Sequence, residues 1–144
     1  MRKTVIYILL LMMALLAMPL SAQTQKNVVE KVLTRQRAKT LKDGSLYKGD
    51  MMLMRPHGRG KRTYTDGTVY QGQFEYGRRQ GKGVMTYPNG EKYEGQWYKD
   101  YRQGRGVYDY VDGRRFEGEF MENVINGFGT MYYVNGDTYT YVFA

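Results

Sequence analysis

Residues 93–115 read YEGQWYKDYRQGRGVYDYVDGRR, and they set the fold. In Tyr93-Glu94-Gly95-Gln96-Trp97, large, polar, small, polar and large residues alternate. That period of two places Tyr93, Gly95 and Trp97 on one face of a strand and Glu94 and Gln96 on the other. Gly104-Arg105-Gly106-Val107-Tyr108-Asp109-Tyr110 alternates in the same way and ends at Asp112-Gly113. An Asp-Gly or Asn-Gly pair between alternating runs is a hairpin signal, because both residue types tolerate positive φ.

The same stretch recurs every 23 residues. Tyr47, Tyr70, Tyr93, Phe116 and Tyr139 form one column; Met51, Phe74, Trp97, Phe120 and Phe143 a second; Tyr64, Tyr87, Tyr110 and Tyr133 a third. Glycine keeps the same period at 49, 72, 95 and 118, in the Gly-x-Gly pairs 58/60, 81/83, 104/106 and 127/129, and in the Asp/Asn-Gly turns ending at 44, 67, 90, 113 and 136. The spacing predicts units at 47–69, 70–92, 93–115 and 116–138 with a half unit at 139–144. Each unit is a hairpin of two strands, about 4.8 Å apart, so the units build an elongated, single-layer, twisted antiparallel meander that adds about 10 Å per unit. The fold class is all-β. One face holds the rings with glycines as slots for them, and the other carries Lys48, Asp50, Gln71, Gln73, Glu94, Gln96, Glu117 and Glu119. In Tyr87-Pro88-Asn89-Gly90, proline suits the first corner of a type I turn and Gly90 the left-handed position after it.

The succession Tyr70-Gln71-Gly72-Gln73-Phe74, Gly81-Lys82-Gly83 and Asn89-Gly90, repeated four times, resembles the MORN repeat (membrane occupation and recognition nexus). The resemblance covers residues 41–144 and implies an adaptor, because MORN repeats serve as binding and scaffold elements in otherwise unrelated proteins. The ends depart from the pattern. Tyr141 occupies the glycine column of the half unit, and Arg35, Arg37 and Leu41 stand 23 residues before Gly58, Gly60 and Tyr64, which marks a degenerate half repeat near Ala38–Asp43.

Ahead of the repeats the chain changes character. Arg2 and Lys3, an apolar run from Val5 to Leu16, and Leu20-Ser21-Ala22 before Gln23 have the order of a secretory signal peptide over residues 1–22. The apolar run is shorter than the roughly 20 residues that span a bilayer, so an uncleaved anchor is the lesser alternative. Residues 23–40 read as a basic linker or a short capping helix, with Val28, Val29, Val32 and Leu33 at helical spacing inside 26–36. Removing Arg2 and Lys3 leaves 20 basic against 14 acidic residues, a charge of +6. Residues 23–62 carry +8 of it and residues 63–144 carry −2.

Little of the composition suits catalysis. Without cysteine the chain has no disulfide, thiolate metal site or thiol nucleophile, and one histidine cannot make a zinc cage. His57 shares its column with Gln80, Gln103 and Asn126, which predicts a hydrogen-bonding turn role. Asp43, Asp66 and Asp112 share theirs with Asn89 and Asn135, which predicts turns and not calcium. Glu94, Glu117 and Glu119 lie on an open face without the cleft that general-acid chemistry needs. The expectation is therefore no enzyme, no cofactor and no metal.

The candidate site is basic. Arg59, Lys82 and Arg105 sit inside successive Gly-x-Gly pairs, and Arg55, Arg78, Arg79 and Arg102 in the loops before them, a ladder along one long edge. Such a ladder either keeps loops soluble or meets an anionic surface. The expected role is an exported binding or scaffold module, periplasmic, envelope-associated or secreted, with an unknown protein partner or an anionic membrane surface. The alternatives are a peripheral module on anionic lipid and a structural protein that self-associates through its sheet ends. Nucleic acid is not expected, since the rings that would stack on bases are needed as core.

Overall fold

Alternation and turn chemistry together produce a single open sheet. The structure, a computed structural model, describes residues 35–143 together with Thr24 and Asn27. Ten strands follow in chain order: β1 (Arg35–Thr40), β2 (Leu46–Met52), β3 (Arg55–Thr63), β4 (Val69–Glu75), β5 (Arg78–Thr86), β6 (Lys92–Tyr98), β7 (Tyr101–Asp109), β8 (Arg115–Met121), β9 (Val124–Tyr132) and β10 (Thr138–Phe143). Every neighbour in sequence is the neighbour in the sheet, and all pairs are antiparallel. The sheet opens earlier than the repeats, because β1 lies within the stretch read as linker or capping helix; most of the 26–36 helical spacing and all of residues 1–22 fall outside the described residues.

Two kinds of turn alternate. At the wide turns the Asp or Asn side chain accepts the N–H two residues on, as in Asn89 to Glu91 at 3.0 Å, while Gly90 N–H returns to Tyr87 C=O at 3.0 Å with Gly90 at φ +92°. This is the expected type I turn closing on a left-handed glycine. The other ends were less legible. Leu53-Met54, Tyr76-Gly77, Lys99-Asp100 and Glu122-Asn123 all have positive φ at both positions, as a two-residue type I′ turn requires. Only Gly77 is a residue for which that conformation is free of steric cost. Because these turns consume two residues, strands restart at once, and Arg55, Arg78, Arg79 and Arg102 belong to strands, not loops.

Glycines 49, 60, 72, 83, 95, 106, 118 and 129 stand opposite one another strand by strand, an unbroken row across the sheet. Tyr47 lies over Gly49 and Gly60, Tyr70 over Gly72 and Gly83, Tyr93 over Gly95 and Gly106, and Phe116 over Gly118 and Gly129. These four rings are fully buried. They alternate with Phe74, Trp97, Phe120 and Phe143 in one continuous series of edge-to-face contacts, with centroids 5.0 to 5.8 Å apart. A single-layer sheet thus obtains a core from one face alone. The first glycine of each Gly-x-Gly pair has another purpose. Gly58, Gly81, Gly104 and Gly127 have φ between +65° and +79°, beside the register shifts at 49/51, 72/74, 95/97 and 118/120, so they serve the bulge and not a ring.

At each bulge a tyrosine hydroxyl donates to the carbonyl three residues on: Tyr47 to Asp50 at 2.6 Å, Tyr70 to Gln73 at 3.0 Å and Tyr93 to Gln96 at 3.0 Å. Burial pushes the Tyr47 and Tyr93 hydroxyls up to about 12, so they stay donors at any physiological pH. Phe116 has the same slot without the hydroxyl. Phe116→Tyr should therefore add a bond to the Glu119 carbonyl and stabilise the chain by about 1 kcal/mol. An unchanged or lower urea midpoint would show that the fourth slot differs from the first three.

Both ends depart as the sequence indicates. Tyr141 stands opposite Gly129 in the glycine column, and its ring lies 6.4 Å from that of Tyr139, which is 52% exposed while its four column mates are buried.

Candidate functional site: the polar face

Residues adjacent to the glycine row point away from the rings and form two rows of side chains on the polar face. One runs Arg59–Gln73, Lys82–Gln96, Arg105–Glu119 and Phe128–Val142 in register. The other runs Lys48–Lys61–Gln71–Val84–Glu94–Val107–Glu117–Thr130–Thr140. Arg59, Lys82 and Arg105 consequently lie mid-strand on the broad face and not along a long edge. The cause is that both halves of the unit are strands, and the residue between two ring-side or bulge glycines must face the opposite way.

The other four predicted arginines separate from these three. Arg79 and Arg102 turn to the ring face, where they tie one unit to the next. Arg79 stacks on Trp97 at 4.4 Å, donates through Nε to Asp100 at 3.1 Å and through Nη2 to the Asp100 carbonyl at 2.7 Å. Arg102 lies over Tyr93, Tyr108 and Phe120 at 5.4 to 5.5 Å and donates to the Asn123 carbonyl at 2.7 Å. A cation stacked on rings and bound by the next turn is a structural part. Arg55 and Arg78 are exposed at the strand starts beside the tight turns.

The His57 column joins the same inter-unit seam. His57 Nδ1 accepts from Tyr76 N–H at 3.4 Å, Gln80 Oε1 from Lys99 N–H at 3.0 Å and Gln103 Oε1 from Glu122 N–H at 3.2 Å. Asp43, Asp66 and Asp112 accept from Ser45, Thr68 and Arg114 N–H within their own turns. The Ser45 hydroxyl and N–H, with Arg62 beside them, hold the Asp43 carboxyl down at about 2.

Two recesses divide the polar face. One, of about 810 Å³, lies over β2 to β5 and reaches Ala38 of β1; it is lined by Lys48, Arg59, Lys61, Lys82, Gln71 and Gln73 over the backbone of Gly49, Gly60 and Gly72. The other, of about 840 Å³, spans β4 to β10 and includes Glu94, Glu117, Glu119, Arg105 and Phe128. Among the described residues, Lys48, Arg59, Lys61, Lys82 and Arg105 make no ion pair, whereas Lys92 and Arg115 are paired with Glu94 and Glu117. Lys48 and Lys61 were not counted in the ladder. The alternation that placed Tyr47 and Gly60 on one face would have put both lysines with Arg59, had it been carried through the second strand. Among the described residues no group of three His, Asp or Glu side chains could hold a metal, and no helix is long and apolar enough to cross a membrane.

No curated protein matches the chain. One solved structure with some likeness is the TCP domain of SAS-4 (dCPAP) of Drosophila melanogaster, in complex with a proline-rich motif of Ana2 (dSTIL). It aligns at 11% identity over 87% of this chain and 94% of that chain, with a TM-score of 0.25. The MORN repeat family model matches residues 47–69, 70–92, 93–114 and 116–138, in phase with the hairpins and the glycine row. The chain belongs to the MORN repeat family.

Proposed function

We propose that this MORN-repeat chain is an exported, non-enzymatic binding or scaffold module that meets its partner, in the cell envelope or outside the cell, through the polar face. The observation that carries the proposal is the row Arg59, Lys82 and Arg105, exposed mid-strand at two-strand intervals and without an ion pair among the described residues. Cations held in a row without counter-ions raise the local concentration of anions and steer their approach.

The test is cosedimentation with envelope extract, and in parallel with anionic and neutral liposomes, comparing wild type with the triple variant Arg59→Gln, Lys82→Gln, Arg105→Gln. At about 1 kcal/mol for each cation at low salt, the variant should bind roughly a hundredfold more weakly. Raising the salt should reproduce the loss. Equal binding of variant and wild type to every surface would leave the row as a solubility device. Liposome binding without extract binding would favour the peripheral lipid module instead. Export has its own check. Intact-mass measurement of the protein produced in its host should give a chain that begins at Gln23, and one that retains residues 1–22 would support the anchored alternative.

A second arrangement has its own support. β10, Thr-Tyr-Thr-Tyr-Val-Phe, is an exposed edge without a single charge, while β1 carries Arg35, Arg37 and Lys39. Uncharged edges invite pairing with another strand. A mass that rises with concentration, measured by sedimentation, would support self-association there.

A further inference from the structure

We infer that the recess over β2–β5 is a docking groove for an extended acidic segment of a partner protein. The inference rests on the polar face being the binding face and assigns its ligand to one half of it. Four cations, Lys48, Arg59, Lys61 and Lys82, and two amides, Gln71 and Gln73, line this recess without a carboxylate among the lining residues. The neighbouring recess carries Glu94, Glu117 and Glu119, and there Arg105 stands opposite Glu119. An anion is therefore favoured over β2–β5 more than further along the same face, where Lys82, Arg105 and Arg115 are balanced by Glu94, Glu117 and Glu119.

The cations are also placed at a cost to the sheet. Lys48 and Lys61 face each other directly across β2 and β3, and like charges in that position destabilise a sheet. Arg59 stands two residues from Lys61, about 7 Å along the same strand, and Lys82 two strands beyond Arg59, about 10 Å away. At the edge of this cluster the Asp50 carboxylate accepts from the Arg59 N–H at 3.1 Å, and among the described residues none of the four side-chain cations makes an ion pair. An acidic ligand would relieve all four charges together.

Chemistry narrows the occupant. No aromatic ring lines the recess, so it has no platform on which bases could stack. Its only apolar side chain is Ala38, so it has nothing to insert into a bilayer. What remains is charge and amide hydrogen bonding in a trough about three strand spacings long, roughly 14 Å between the outer strands. An extended peptide crosses that length in about four or five residues with its inward carboxylates about 7 Å apart, between the separations of about 4.8 Å for Lys48–Lys61 and about 10 Å for Arg59–Lys82 along the trough.

The probe is a fluorescein-labelled octaglutamate peptide, titrated by anisotropy against the purified full chain, with octaglutamine as the uncharged control. Octaglutamate should bind saturably and lose affinity as salt rises, and octaglutamine should not bind. Lys48→Gln with Lys61→Gln should weaken octaglutamate binding at least about tenfold, while Arg115→Gln on the same face, where Arg115 is paired with Glu117, should change it less than about twofold. The double substitution removes the Lys48–Lys61 repulsion, so thermal melting should hold or rise and a loss of binding is not a loss of fold. The inference is overturned if the double variant binds octaglutamate as wild type does, or if Arg115→Gln costs as much. Tighter binding at equal charge to phosphatidylglycerol vesicles or to hexagalacturonate would overturn the peptide occupant. If octaglutamate fails while the double variant still loses envelope-extract binding, the ligand class is wrong and the polar face stands.

Discussion

Gly95→Val is expected to cost at least about 3 kcal/mol, the upper end for overpacking a core, while Gln96→Val one residue along shifts stability by less than about 1 kcal/mol. A Cβ at Gly95 would run into the Tyr93 hydroxyl and stand 2.7 Å from the Gly106 Cα. The second of these is backbone, which has no rotamer to change, so the strands would have to part or Tyr93 leave its slot. Tyr93 packs on Trp97 and Phe120, and displacing it would break the series of rings at its centre. Gln96 faces the polar side, where a valine meets no such obstacle. Urea unfolding followed by circular dichroism gives both values, and equal midpoints would mean that the two faces have been exchanged.

Trp97→Ala is expected to cost about 3–5 kcal/mol, the range for removing a large buried ring. Trp97 is 3% exposed, donates Nε1–H to the Gly83 carbonyl at 3.2 Å, and meets Tyr70 and Tyr93 at 5.2 Å. Its loss leaves a cavity between two units and takes away the ring on which Arg79 rests. Repeat stability depends on the interfaces between neighbours, so the damage should appear as separate unfolding of the two halves of the sheet as well as a lower midpoint. Hydrogen exchange resolves the halves. A single cooperative transition shifted by less than about 1 kcal/mol would contradict the role given to this ring.

The fold was legible because each structural device in it repeats. Tyr93, Gly95 and Trp97 alternate on one strand, and the same triplet recurs at 47, 70 and 116 with conservative changes, so periodicity alone fixes strand, face and neighbour. The wide turns announce themselves through Asp-Gly and Asn-Gly. The tight turns do not: Leu53-Met54 adopts a geometry that neither residue favours and Lys99-Asp100 one that only the aspartate tolerates, each in a hairpin whose pairing carries a bulge. Missing those turns misplaced four arginines as loop residues. The division of the basic residues was hidden for a related reason. Arg79 and Lys82 are three apart on β5, so alternation alone puts them on opposite faces, but it does not reach Arg79 while that residue is read as part of a loop. Arg79 goes to the rings and Lys82 to the polar face. Pairing partners such as Asp100 for Arg79 lie 21 residues on, in the next unit, where only the three-dimensional register brings them together.

The claim that binding occurs on the polar face is tested most directly by site-specific photo-crosslinking in the cell that makes the protein. A benzophenone side chain replaces Gln71 in the β2–β5 recess in one strain, the exposed Tyr98 at a tight turn in a second, and the exposed Tyr139 at the β10 end in a third. Illumination should give a covalent adduct from position 71, abolished by Arg59→Gln with Lys82→Gln, and none from position 98 or 139. An adduct that forms only at position 139, or one at 71 that persists without Arg59 and Lys82, would contradict it.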